Sequence, residues 1–202
     1  MEELYIAEVD YEEAKMTADL MSYFQGLAFT IDALDRLQQL LVEKVEDTVL
    51  SGSLWIAALI SYARCFSTGK RFGLSEKLFE SIEGGVECHQ LYMNLRNKHI
   101  AHSVNPFEQV VVGLVLSPPS GAERKVEGVS ILSQKLIHLD SEGIHNLRRL
   151  AFIAMKEIER QGKDAQEKAL EIGKQIPIED LYMKANPRTV APPPEAAAKP
   201  RK

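Results

Sequence analysis

Apolar residues recur at three- and four-residue steps through most of this chain, the periodicity of helices that bury one face. Leu27, Ile31, Leu34, Leu37, Leu41 and Val45 form such a stripe in a block from about Tyr11 to Glu46, interrupted near Gln25-Gly26. A second helix is predicted from Ser51 to Ser67, with Trp55, Leu59, Tyr62 and Phe66 as its inner stripe. Leu54, Ile56, Ala57, Ala58 and Ile60 leave it so little polar face that it belongs in the middle of the fold. Thr68-Gly69-Lys70-Arg71-Phe72-Gly73 then breaks the pattern, because two glycines end helices readily. Ser75 is expected to cap a short helix through Ile82, closed by Gly84-Gly85. Another helix follows from Val86 to Ala101 or His102, and Asn105-Pro106 forbids much continuation.

The texture changes after Pro106. Gln109 to Leu116 is short and rich in valine, Ser117-Pro118-Pro119-Ser120-Gly121 is turn chemistry, and Lys125 to Leu139 is a second extended run. Together they predict a β-hairpin inserted between helices, at about residues 108–139. Asp140 or Ser141 caps a long last helix with Ile144, Leu147, Ala151, Met155 and Ile158 on its buried face, bending near Gly162 and ending about Ile172. The predicted fold is all-α, an antiparallel bundle of four to five helices with that hairpin, filling residues 1–175 as one domain. Residues 185–202 are Pro/Ala-rich with scattered Lys and Arg and read as a disordered tail.

Composition narrows the function. Across 202 residues the formal net charge is −5, which argues against broad nonspecific binding to nucleic acid and points to local or weak engagement of any RNA. No run approaches the roughly 18 consecutive apolar residues of a membrane helix. The acidic start (Glu2, Glu3, Glu8, Asp10) lacks a cationic signal-peptide opening. Cys65 and Cys88 form no C-x-x-C pair. A reduced, cytoplasmic protein with no membrane partner is expected.

One stretch carries chemistry: Leu95-Arg96-Asn97-Lys98-His99-Ile100-Ala101-His102-Ser103. Arginine does not lose its proton, whereas histidine titrates near neutral pH, so the two together hold a phosphate and move protons beside it. On an α-helix Arg96, His99 and His102 step round by about 60° each and span about 9 Å. That is too offset for one compact site unless Arg96 reaches along the helix or the helix packs against its own copy, and a twofold pair of such helices is expected to bring two arginines and two histidines to one cleft. Tyr92 lies one turn before Arg96, with His89 two turns back, and Leu91 and Leu95 on the neighbouring, core-facing stripe. Tyr92 is a candidate for stacking on a base. Lys98, Lys70 and Arg71 are candidate cations along an RNA path.

Arg96-Asn97, four further residues and His102 resemble the signature of the HEPN superfamily, an arginine, a polar residue and a later histidine near a helix end. The aromatic helix Trp55 to Phe66 and the ending Lys98-His99-Ile100-Ala101-His102-Ser103 are similar to its abortive-infection branch, over roughly residues 18–160. The resemblance implies a metal-independent endoribonuclease, active as a homodimer, in bacterial defence or toxin–antitoxin systems, with an operon-encoded antitoxin as a further partner. It implies His102 as general acid/base, Arg96 as stabiliser of phosphoryl charge and Asn97 as orienter; His99 is an auxiliary candidate outside the defining pattern. It also implies cleavage through the ribose 2′-OH to a 2′,3′-cyclic phosphate. Val104 stands where many such toxins carry a modifiable tyrosine, so silencing by modification there is not open to this chain.

Plainer readings compete. Arg96 and His102 as cations at a helix C-terminus would gain about 0.3–1 kcal/mol from its dipole. A noncatalytic HEPN-like protein- or RNA-binding module fits the same residues. His89, His99 and His102 lack a carboxylate or cysteine at ligand spacing, so neither metal nor cofactor is expected. Thr68-Gly69-Lys70-Arg71 lacks the earlier glycine and preceding strand of a phosphate loop.

Overall fold

The computed structural model describes residues 5–67, 73–100, 108–121, 123–186 and 194; the side chain of His99 also lies outside that description. The chain is mostly helical with a small antiparallel hairpin. In order it forms β1 (Ile6–Ala7), α1 (Glu12–Val42), α2 (Thr48–Phe66), a 3-10 turn (Glu76–Phe79) and α3 (Gly85–Asn94). A π-helical segment (Leu95–Ile100), β2 (Glu108–Leu116), β3 (Val126–Lys135), α4 (Ser141–Gly173), α5 (Ile178–Lys184) and β4 (Ala185–Asn186) follow. Backbone contacts divide it into two compact units, residues 21–160 and residues 1–20 with 161–202.

In the larger unit the predicted stripes are largely the core. Trp55, Leu59 and Tyr62 of α2, Leu27, Leu34 and Leu37 of α1, and Ile144, Leu147 and Ala151 of α4 are fully buried. Each fully buried leucine or isoleucine among them is worth about 1.5–3 kcal/mol. The α1 stripe drifts at its end: Leu40 is buried, Leu41 only half-buried and Val45 exposed, because the helix stops at Val42. Met155 of α4 is likewise only half-buried, and Ala154 beside it takes the inner position.

The interruption expected at Gln25-Gly26 does not occur. Gly26 sits in unbroken helix where a Cβ would come within 3.5 Å of the Cys65 Sγ and 3.7 Å of the Ser61 carbonyl oxygen. The glycine lets α1 and α2 approach closely there, and Thr30 Oγ1 donates back to the Gly26 carbonyl at 2.9 Å. α4 likewise stays helical through Gly162.

Two caps set α2 and α4. Asp47 accepts from the Leu50 amide at 2.8 Å, so α2 starts earlier than Ser51, and Asp140 accepts from the Gly143 amide at 2.8 Å. By length and composition α2 is apolar enough to cross a membrane, contrary to the expectation that no segment would be; Trp55, Leu59, Tyr62 and Phe66 are nonetheless buried in protein.

The hairpin pairs Glu108 with Lys135 and Val112 with Ile131, and slips by one residue between Val115 and Leu116. Its second strand ends at Lys135, short of the expected Leu139.

The smaller unit holds an unforeseen strand pair, Ile6 opposite Asn186 and Ala7 opposite Ala185, so the first two residues of the stretch read as tail are strand. The Tyr11 hydroxyl donates to the Ala169 carbonyl at 2.6 Å within it. Of the remaining expected tail, residues 187–193 and 195–202 lie outside the described residues.

Candidate functional site

The helix that carries the arginine begins at a glycine pair. Gly84 has φ of +65°, a left-handed conformation that side chains resist. A Cβ on Gly85 would stand 2.7 Å from the Phe79 carbonyl oxygen. These two residues turn the 3-10 turn directly into α3.

From there the buried face of α3 is Gly85, His89 and Tyr92, continued by Leu95. Leu91, expected on the core stripe, is 48% exposed. Tyr92, a candidate for stacking on a base, is a core residue, the commoner place for an aromatic in a helical protein. It is 1% exposed, its ring meets Trp55 edge-on at 6.4 Å, and its hydroxyl donates to the Gly143 carbonyl at 2.6 Å. A ring enclosed in that way has no face to offer a nucleotide. Trp55 Nε1, also enclosed, has no hydrogen-bond acceptor among the described residues.

After Asn94 the backbone widens from an α-helix into a π-helix over Leu95–Ile100. Such segments are rare and gather at functional sites. A π turn rotates less per residue than an α turn, so the even 60° steps expected of Arg96 and His99 do not describe this segment. Arg96 is half-buried, with Asn97 and Lys98 exposed beside it. Arg96 Nη1 donates to Asn97 Oδ1 at 2.8 Å. One arm of the guanidinium fork is thereby tied to its neighbour, and the remaining donors suit a phosphate or carboxylate in bidentate fashion. His102, Lys70 and Arg71 lie outside the described residues, as does the side chain of His99.

Sequence reasoning passed over the most enclosed polar pair in this region. His89 is 4% exposed, ringed by Tyr62, Phe66 and Phe79, with its Nδ1 2.8 Å from the Tyr62 hydroxyl. Burial pushes the Tyr62 phenol well above its ordinary value and His89 below its own, the latter partly opposed by Glu76. Tyr62 therefore stays a phenol and His89 a neutral imidazole, and the tautomer of the imidazole sets which of the two donates across this contact. His89 and Phe66 line a cavity of about 450 Å³ that reaches Met93 and Asn94, just before the π segment. The signal in the sequence was His89 at helical spacing from Tyr92 and opposite an aromatic-rich helix.

Among the described residues no group of three or more His, Cys, Asp or Glu is placed to hold a metal. Comparison of the chain with protein-family models, curated proteins and solved structures returned no match.

Proposed function

We propose that this chain is a metal-independent endoribonuclease of HEPN type, working as a homodimer in the cytoplasm in a bacterial defence or toxin–antitoxin setting. Its substrate is RNA, because the nucleophile is the ribose 2′-OH. Arg96 holds the scissile phosphate and offsets the charge that grows on its oxygens. His102 removes the 2′-OH proton as the 2′-oxygen bonds to phosphorus, and a proton is returned to the departing 5′-oxygen. The products are a 2′,3′-cyclic phosphate and a 5′-OH, with no cofactor consumed. Lys98 supplies a neighbouring cation for the RNA backbone. The same proposal includes an antiparallel bundle arrangement for the helices of residues 21–160.

The observation that carries the reading is the hydrogen bond from Arg96 to Asn97 on the π-helical segment. A bound, half-buried guanidinium loses less freedom on meeting a phosphate than a solvated one. In a simple helix cap the arginine would be directed at terminal carbonyls rather than at a neighbouring side-chain amide.

Incubation of end-labelled RNA in EDTA with the wild type, Arg96→Ala and His102→Ala tests this. Cleavage to cyclic-phosphate ends, lowered at least about a hundredfold in both variants at unchanged melting temperature, is the expected result. No cleavage by the wild type, or cleavage that both variants retain, overturns it. RNA binding without cleavage would mark a noncatalytic module.

A further inference from the structure

The hairpin carries an apolar face left open by the rest of the described chain. Strand alternation puts Val110, Val112, Leu114 and Leu116 on one side of β2. The register sets Ile131 opposite Val112, Val129 opposite Leu114 and Val126 opposite Leu116. All seven side chains are between 58% and 70% exposed. Ser133, opposite Val110, is the one polar residue in this set of pairs. The reverse face is broken by Gln109, Gly113, Ser130 and Gln134. An isolated two-stranded hairpin is marginal in water, and this one packs chiefly on itself.

We propose that this face packs against the same face of a second copy of the chain, as a twofold stack of two hairpins. Area supports a second copy as the occupant. At on the order of 100 Å² of apolar surface per side chain and about two-thirds exposure, seven side chains present roughly 450 Å². Two such faces come to roughly 900 Å², at the lower edge of the ~1,000 Å² expected of a specific interface, so the stack is expected to be a modest-affinity one. Charge supports it independently. A twofold interface brings each group toward its own copy, so a charged patch would repel itself. Residues 108–135 hold three acids (Glu108, Glu123, Glu127) and three bases (Arg124, Lys125, Lys135), net zero in a chain of net −5. Glu108 and Lys135, which close one end of this same face, already neutralise each other at 3.3 Å, and the pairs from Val110–Ser133 to Leu116–Val126 carry no charge.

The stack itself stands apart from the nuclease reading; its consequence for catalysis rests on that reading. β2 begins six residues after His102, a separation that spans at most about 21 Å. Two stacked hairpins therefore tether the two candidate histidines to one assembly.

Sedimentation equilibrium of the full chain, without RNA, tests the stack. Four proteins are compared: wild type, an acidic face (Val112→Glu with Ile131→Glu), a basic face (Val112→Lys with Ile131→Lys) and a reverse-face control (Val111→Glu with Leu132→Glu). The wild type and the reverse-face control are expected to be dimers at micromolar concentration. The acidic and basic variants, with unchanged helical circular dichroism, should each dimerise at least about a hundredfold more weakly. An equimolar mixture of those two should recover a dimer. A monomeric wild type, including one that instead sediments with lipid vesicles, overturns the proposal. So do face variants that stay dimeric, or a reverse-face control that dissociates equally. Face variants that stay dimeric overturn only the stack, whereas a monomeric wild type also removes the homodimer from the proposed function; loss of RNA cleavage in the other test leaves the stack standing.

Discussion

α2 and the β2–β3 hairpin each carry an apolar face, and the two faces end in opposite circumstances. Trp55, Leu59 and Tyr62 keep no exposed surface, whereas Val112, Leu114 and Ile131 are between 63% and 70% exposed. In α2 the apolar stripe recurs at helical spacing, and the stripes of α1 and α4 offer surfaces of the same period to meet it. The hairpin alternates with period two, and its described surroundings supply no second sheet. Apolar character states that burial is needed; the period decides whether the same chain can provide it.

The sharpest way to break this contrast is to truncate one residue from each region. Trp55→Ala is expected to cost about 3–5 kcal/mol of unfolding free energy, because the cavity it leaves is enclosed. Val112→Ala should change the unfolding free energy by less than about 0.5 kcal/mol when measured at dilution where chains are monomeric. Urea titrations followed by circular dichroism give both values. Comparable losses would mean that the hairpin is integrated into the monomer's core, and the contrast would fail.

The same physics explains what could be read before the fold was known. Trp55, Leu59, Tyr62 and Phe66 were legible as core because four bulky residues at helical spacing leave no other use for them. The hairpin was legible from its valines and the Ser117 to Gly121 turn. Gly26 was misread because a glycine that breaks a helix and one that lets two helices close are the same letter; only the Cys65 Sγ beside it tells them apart. The strand pair Ile6–Ala7 with Ala185–Asn186 joins residues nearly a chain length apart, and no local period announces such a pairing. At the candidate site Arg96 and Asn97 were identified as a unit by type and order. The widening to a π-helix at Leu95 was not, since one extra residue per turn leaves no mark on composition.

A second test sharpens the contrast inside the buried region, where polar atoms need partners. Tyr62→Phe leaves His89 Nδ1 enclosed without its hydrogen-bond partner and is expected to cost about 1–3 kcal/mol. Tyr62→Phe with His89→Phe removes both groups and should cost less than the single variant. The pair also sets a pH dependence. With its folded value lowered by burial, His89 resists a proton that the unfolded chain accepts below about pH 6.5. This contribution to stability is whole above that pH and is lost as pH falls toward the lowered value. Denaturant midpoints at about pH 7.5 and 5.5 should therefore separate more in the wild type than in the double variant. Equal separations would remove His89 as the origin of the slope.

The smallest expected effect lies between the two extremes, on a surface where two helices of the larger unit meet through charge. Arg148 of α4 grips the Asp35 carboxylate of α1 through Nε and through Nη2, the latter at 3.0 Å. That bond raises the Arg148 pKa above its ordinary value, but both side chains stay partly exposed, 35% and 47%. Water and salt screen a pair so placed, and two side chains give up rotamer freedom to make it. Asp35→Asn preserves shape while removing the charge, so the loss should stay below about 1 kcal/mol and shrink as salt is raised. Urea midpoints at low and high ionic strength measure it. A larger, salt-independent loss would mean that α1 and α4 are held at this point by the ion pair more than by the buried leucines of each helix, Leu34 and Leu147 among them. Burial would then have to share with charge the role it has in separating α2 from the hairpin.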